Sequence, residues 1–140
     1  MIRAVVDTSV FVSAFIGSPA AAPAQVVAAW RDRRFVLVVS PRLLDELSEV
    51  LRRPKFARWS GDGRGERYAA AFAARAELQP DVPATAATRD PDDDYLVALA
   101  RSARADTIVS VDLDLLEARL SDLAVVSPAE FLTRLQALLG

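Results

Sequence analysis

IRAVVDTS, residues 2–9, is a short apolar run that stops at Asp7 and continues with two hydroxyl residues, Thr8 and Ser9. A run of this kind is typical of a strand buried on both faces of a parallel sheet. Ligands of such sheets bind in the crevice beyond the carboxyl ends of the strands. The pattern therefore predicts that the Asp7 carboxylate lies in a crevice, where other acidic side chains can join it.

The composition limits the chemistry of the chain. Its 140 residues fit one domain, residues 1–140, and they include no cysteine and no histidine. Disulfides, zinc sites and histidine-based catalysis are thereby excluded, which leaves carboxylates, hydroxyls, arginine or a cation held by oxygen. With no signal peptide and no apolar stretch near the ~20 residues of a membrane span, we expect a soluble cytoplasmic protein with no membrane partner.

The basic residues are unevenly distributed. The net charge is −2, and the chain has sixteen arginines but a single lysine, Lys55. Arginines cluster in residues 31–34, 52–58 and 64–67. These clusters are either solvated helix faces or a local rim that binds phosphate, because guanidinium matches phosphate geometry.

Strand-like and helix-like segments alternate along the rest of the chain. Further buried strands are predicted at 35–39, 107–111 and 124–126. Helices are predicted at 10–16, capped by Thr8 or Ser9, and at 23–33, 41–53, 66–78, from Asp90 onward, 115–120 and 128–139. This alternation predicts an α/β sandwich with a parallel sheet.

Three more acidic residues are predicted to lie near Asp7. Asp112 directly follows the strand at 107–111, which repeats the pattern at Asp7 and has a hydroxyl, Ser110, near its end. Glu46 lies at the edge of the apolar face of its helix, so it can lean over the sheet. Asp93 precedes Leu96 by three residues, which puts it on the buried side of its helix. There a carboxylate is costly unless it is paired or bound to metal.

Each of these acids also has an ordinary structural explanation, such as a turn residue, a solvated helix acid or a partner of the helix dipole. Four carboxylates gathered together, however, would repel one another and raise their own pKa values. The compensation that fits this sequence is a hard divalent cation, Mg²⁺ or Mn²⁺.

The ordered set of motifs resembles the PIN-domain family over nearly the whole chain. It consists of Val5-Val6-Asp7-Thr8-Ser9, Ser40-Pro41 through Glu46 to Phe56, Asp90-Pro91-Asp92-Asp93-Asp94 through Ala100, Ala105 through Leu116, and Val126 through Leu132. The resemblance is closest to bacterial toxin components akin to VapC-type ribonucleases. It implies a three-layer α/β/α PIN-like fold with a mainly parallel central sheet.

The resemblance also implies a function and a set of site residues. The function is Mg²⁺- or Mn²⁺-dependent hydrolysis of RNA by the toxin of a type II toxin–antitoxin system, a homodimer inhibited by a cognate antitoxin. The family's four acids fall on Asp7, Glu46, Asp93 and Asp112. Asp114 matches a further acid, and the supporting hydroxyls match Thr8, Ser9 and Ser110. Asp92 and Asp94 flank Asp93 and remain alternatives to it as the ligand.

Two other function classes stay open. A different Mg²⁺-dependent α/β phosphohydrolase is one, although a haloacid-dehalogenase-type phosphatase needs Asp-x-Asp after the first strand, where this chain has Asp7-Thr8-Ser9. The other is a PIN-like binding module without catalytic activity, against which the presence of all four acids argues.

Overall fold

A computed structural model describes residues 1–139 of the chain, and its centre is a five-stranded sheet. The strands are β1 (Arg3–Val6), β2 (Val36–Val39), β3 (Glu77–Leu78), β4 (Thr107–Val109) and β5 (Ala124–Val126). The α-helices in this range are α1 (Thr8–Ile16), α2 (Ala22–Arg31), α3 (Pro41–Leu51), α4 (Ala57–Ser60), α5 (Arg64–Arg75), α6 (Asp94–Ser102), α7 (Leu113–Leu116) and α8 (Pro128–Leu139). One-turn 3-10 helices precede α4 (Pro54–Phe56) and α6 (Pro91–Asp93).

The sheet is parallel throughout, with the strand order β3-β2-β1-β4-β5. From β1 the chain first builds the sheet toward β3 and then continues on the other side of β1 with β4 and β5. Right-handed crossovers therefore place α1–α5 on one face and α6–α7 on the other. In agreement, α6 packs on β1 and β4, whereas α1 packs against α2 and α3. The predicted three-layer α/β/α fold with a parallel sheet is confirmed.

This topology has a switch point between β1 and β4. The direction of sheet building reverses there, and such a switch point is where open α/β sheets bind ligands. The central strands are hydrophobic because both faces of the sheet are covered, and Val5, Val38 and Ile108 are fully buried. The carboxyl ends of β1 and β4 thus project from a buried hydrophobic core.

The largest error of the sequence prediction concerns β3. The Ala-rich helix was expected to run through residue 78, but α5 ends at Arg75 and Glu77–Leu78 pairs with β2. Glu77 forms an ion pair with Arg3 of β1, and the Gln79 N–H donates to the Val39 carbonyl at 2.9 Å. These tertiary contacts outweigh the helix propensity of the alanines, which is only a weak preference.

Some helix starts also differ from the prediction. Thr8 and Ser9 lie inside α1, and Asp7 is its N-cap residue, so the prediction that Thr8 or Ser9 caps this helix was wrong. The helix predicted at 115–120 is instead α7, which begins at Leu113 because Asp112 caps it, accepting from the Asp114 N–H at 2.9 Å. No helix in residues 1–139 combines the length and the apolar character needed to cross a membrane.

Candidate active site

Asp7 lies at the carboxyl end of β1, beside the end of β4. Its N–H donates to the Val109 carbonyl at 2.9 Å, and its side chain is only 6% exposed. Asp7 Oδ2 accepts hydrogen bonds from Ser9 Oγ at 2.9 Å and Ser110 Oγ at 2.8 Å. Two of the three predicted hydroxyls therefore hold this carboxylate in place.

Ser110 connects Asp7 to the second strand-end acid, Asp112. The Ser110 hydroxyl is fully buried, donates to Asp7 and accepts from the Asp112 N–H at 2.9 Å. One hydroxyl thus fixes the spacing between the two strand ends. The Asp112 carboxylate also caps α7 through Oδ1, which restricts its rotation.

Glu46 approaches this pair from α3. Ser40 caps the helix by accepting from the Leu43 N–H at 3.3 Å, and the buried face of the helix leaves Glu46 half-buried at its edge, as predicted. Thr8 Oγ1 donates to Glu46 Oε2 at 3.2 Å, and the Tyr95 hydroxyl donates to the same oxygen. Glu46 therefore lies over the start of α1, next to Asp7.

The three consecutive aspartates before α6 have different surroundings. Asp94 is buried, and its Oδ1 accepts from the Ala87 N–H, the Thr88 N–H and Thr88 Oγ1 at 2.8–3.1 Å. It therefore anchors the connector before the helix. Asp92 is exposed. The third, Asp93, has a buried Oδ2 with no hydrogen-bond partner in residues 1–139.

The charges of these carboxylates act on one another. Burial raises the pKa of Asp7, the hydrogen bonds from Ser110 and Ser9 oppose this shift, and the charges of Glu46 and Asp112 add to it. Burial, followed by the charges of Asp7 and Asp112, raises the pKa of Asp93 to about 7. The structure thus brings together Asp7, Glu46, Asp93 and Asp112.

The donor set fits a hard divalent cation. Within residues 1–139 no Arg or Lys nitrogen lies within 4 Å of a carboxylate oxygen of these four residues. The unpartnered Asp93 Oδ2 is the type of oxygen that Mg²⁺ and Mn²⁺ prefer. No three acidic side chains in this range already have the spacing of a coordination sphere. Side-chain rotations would therefore have to accompany the binding of an ion.

Asp114, the further predicted ligand, forms an ion pair with Arg89. Its Oδ1 is 3.4 Å from Arg89 Nε, and its side chain is 44% exposed. Arg89 also pairs with Glu117. Asp114 thus has a basic partner and a large exposed fraction. It lies at the rim.

Two residues near the site were missed by the sequence prediction. Tyr95 donates to Glu46, and burial together with that hydrogen bond raises its pKa. The Arg42 guanidinium lies 4.2 Å from the centre of the Tyr95 ring. Tyr95 lies on the buried face of α6, where a tyrosine hydroxyl needs a polar partner, and this was the available signal. Arg42 and Arg89 belong to none of the three arginine clusters noted in the sequence.

Comparisons with solved structures support the fold. VapBC2 from Rickettsia felis, in a crystal structure bound to a DNA fragment from their promoter, matches with a TM-score of 0.62 and 12% identity over 90% of this chain and 98% of that chain. PAE2754 from Pyrobaculum aerophilum matches with a TM-score of 0.59 and 17% identity over 97% and 96%. The PIN domain of human SMG5 matches with a TM-score of 0.50 and 12% identity over 94% and 97%.

No curated protein matches the sequence. The sequence profile of the PIN domain does match it, over residues 3–114. This range contains β1 to β4 and all four gathered carboxylates. The chain therefore belongs to the PIN-domain family.

Proposed function

We propose that this protein is a metal-dependent endoribonuclease that hydrolyses RNA phosphodiester bonds. PIN domains are generally nucleases that use divalent metal ions. The observation that favours this activity here is the meeting of four carboxylates at the switch point of the sheet, where no basic side chain of residues 1–139 forms an ion pair with them.

Each residue of the site has a proposed task. Asp7, Asp93 and Asp112 would hold a Mg²⁺ or Mn²⁺ ion, and Glu46 would hold a second ion or orient the attacking water. When bound, such a cation would neutralise the charge of the phosphodiester and lower the pKa of the attacking water. Ser9 and Ser110 keep Asp7 oriented, and Thr8 does the same for Glu46. Asp114 would be a further ligand at the rim of the site, where it pairs with Arg89.

The cellular role that we propose is that of the toxin in a type II toxin–antitoxin pair, acting on RNA in the cytoplasm. Its sequence resembles VapC-type ribonucleases, and VapBC2 from Rickettsia felis shares its fold. As implied by that resemblance, we propose a homodimer and a cognate antitoxin partner. An arginine of the antitoxin could form charge-assisted hydrogen bonds with the carboxylates of this site, Asp7, Glu46, Asp93 and Asp112.

The test is cleavage of a mixed pool of single-stranded and structured RNA by the wild type and by Asp7→Asn, in Mn²⁺ and in EDTA. We expect Mn²⁺-dependent cleavage that Asp7→Asn reduces to background, because the substitution removes the charge and leaves the shape of the side chain. Asp122→Asn is the matched control, since Asp122 pairs with Arg101 on the surface. Cleavage by Asp7→Asn at the wild-type rate would refute the proposal.

The same samples distinguish the two other function classes. Hydrolysis of a small phosphate ester without cleavage of RNA would identify a phosphohydrolase. Calorimetry that detects no binding of Mn²⁺ by the wild type would identify a binding module without activity.

A further inference from the structure

One contact of the site involves a residue with no task in the proposed mechanism. Tyr95, on α6, is 4% exposed, and its hydroxyl donates to Glu46 Oε2 on α3. Thr8, on α1, donates to the same oxygen at 3.2 Å. Three separate helices therefore meet at one carboxylate oxygen.

We propose that Tyr95 is a positioning residue of the nuclease site, which fixes the Glu46 carboxylate through Oε2 and so presents Oε1 to the cation or to the attacking water. This inference rests on the proposed function. Oε1 accepts no hydrogen bond from any residue in the range 1–139, whereas Oε2 accepts two. Oε1 is thus the oxygen of Glu46 that stays available to a ligand.

Glu46 needs such a restraint for two reasons. A glutamate has three rotatable side-chain bonds, and immobilising it costs conformational entropy. In addition, the negative charge of Glu46 acts on Asp7, and this repulsion favours rotamers in which Glu46 turns away from the site. A fixed donor on the far side of the carboxylate opposes both effects.

Tyr95 is itself held by α3 at two points. The Arg42 guanidinium lies 4.2 Å from the ring centre, and Glu46 accepts a hydrogen bond from the hydroxyl. Residues 42 and 46 are one helical turn apart, so they lie on the same face of α3, and the tyrosine spans the distance between them. The backbone N–H of Arg42 donates to Asp81 Oδ2 at 2.9 Å, which anchors this end of the helix. The ring therefore has little freedom to move away from Glu46.

The chain offers a matched control for a test of this role. The other tyrosine, Tyr68, donates its hydroxyl to the Phe11 carbonyl at 2.7 Å, a contact between α5 and α1. Tyr95→Phe and Tyr68→Phe each remove one phenolic oxygen and one hydrogen bond. Only Tyr95→Phe releases Glu46.

The experiment measures Mn²⁺ affinity by calorimetry and RNA cleavage kinetics for the wild type and both variants. We expect Tyr95→Phe to weaken Mn²⁺ binding by about tenfold, as is typical when an outer partner of a metal ligand is removed. It should lower kcat and leave KM for RNA unchanged. Tyr68→Phe should change neither Mn²⁺ affinity nor kcat. The Glu46→Gln background provides a second test, because there Tyr95→Phe should have no further effect.

The outcomes separate this inference from the proposed function. Wild-type cleavage with equal Mn²⁺ affinity and kcat in Tyr95→Phe overturns the role of Tyr95 alone. If the wild type cleaves no RNA but binds Mn²⁺ more tightly than Tyr95→Phe does, the role of Tyr95 is supported and the proposed ribonuclease activity is overturned. A wild type that binds no Mn²⁺ overturns both. If Tyr95→Phe does not fold, Arg42→Gln at the exposed position 42 should still weaken Mn²⁺ binding or lower kcat several-fold, and an unchanged affinity together with an unchanged kcat would overturn the inference.

Discussion

The surroundings of Asp93 move its titration close to neutral pH. The surroundings of Asp93 raise its pKa from the ordinary 3.8 to about 7, so between these values the folded protein binds a proton that the unfolded chain has lost. The pKa of Asp7 is raised as well, which adds to the effect. Because the native state binds more protons, the free energy of unfolding falls as pH rises through this range and levels off above about 7.

We therefore predict that the protein in EDTA melts at a lower temperature at pH 8 than at pH 5.5. Asp93→Asn should remove most of this difference, because asparagine carries no charge at either pH. Asp92→Asn, at the exposed neighbouring position, is the control and should keep the wild-type difference. Melting temperatures that rise from pH 5.5 to pH 8 in EDTA would contradict the raised pKa of Asp93.

Asp112 and Asp114 are two residues apart in sequence but have different surroundings. Asp112 is linked through Ser110 to Asp7, whereas Asp114 pairs with Arg89 at the rim. We predict that Asp112→Asn lowers the rate of RNA cleavage by at least about a hundredfold and Asp114→Asn by less than about tenfold. Asparagine at position 112 can still cap α7, so the comparison isolates the charge. Equal losses would place Asp114 among the ligands.

At the scale of secondary-structure elements, the positions of the acidic residues could be predicted from strand ends and from the apolar faces of helices. Asp7 and Asp112 each follow a buried strand, and parallel strands bring such ends to one edge of the sheet. Glu46 was identified from the side of its helix that it occupies, and Asp93 from its spacing to the apolar residues of the helix that follows it. These arguments need only the periods of strand and helix, which a sequence states directly.

The parts that were missed depend on contacts between distant segments. The strand β3 has two residues after an Ala-rich helix, and it forms because Arg3 and β2 bind it there. The partner of the Tyr95 hydroxyl lies 49 residues earlier in the chain. Neither local propensity nor periodicity contains this information. Such contacts become visible only once the elements are placed in three dimensions.

The cap of α3 is the element-level feature on which Glu46 depends. Ser40 is fully buried and accepts from the Leu43 N–H, and Ser40→Ala removes this bond. We predict a loss of about 1 kcal/mol in the free energy of unfolding, measured by denaturant titration, together with weaker Mn²⁺ binding. Ser127→Ala is the control, because Ser127 accepts from the Glu130 N–H in α8 and should cost stability alone. Weaker Mn²⁺ binding by both variants would mean that the effect is not specific to α3.

At the scale of the whole molecule, charge is distributed in a way that favours cation binding. The net charge is only −2, yet four carboxylates share one crevice, and the ion pairs of residues 1–139 lie elsewhere. Without a cation, the repulsion among these groups opposes folding. A ligand that binds only the native state should then stabilise the molecule as a whole.

We predict that Mn²⁺ raises the melting temperature of the wild type, and that the increase grows with the logarithm of the Mn²⁺ concentration once the site is saturated. At a concentration one hundred times the Kd, the expected stabilisation is about 2.7 kcal/mol, which corresponds to several degrees for a chain of this size. NaCl at the same ionic strength should have a much smaller effect, because it only screens the repulsion. Asp7→Asn should melt higher than the wild type in EDTA, since a buried charge is gone, and should gain little from Mn²⁺. Equal stabilisation by NaCl and by Mn²⁺ would mean that the crevice is acidic without being a binding site.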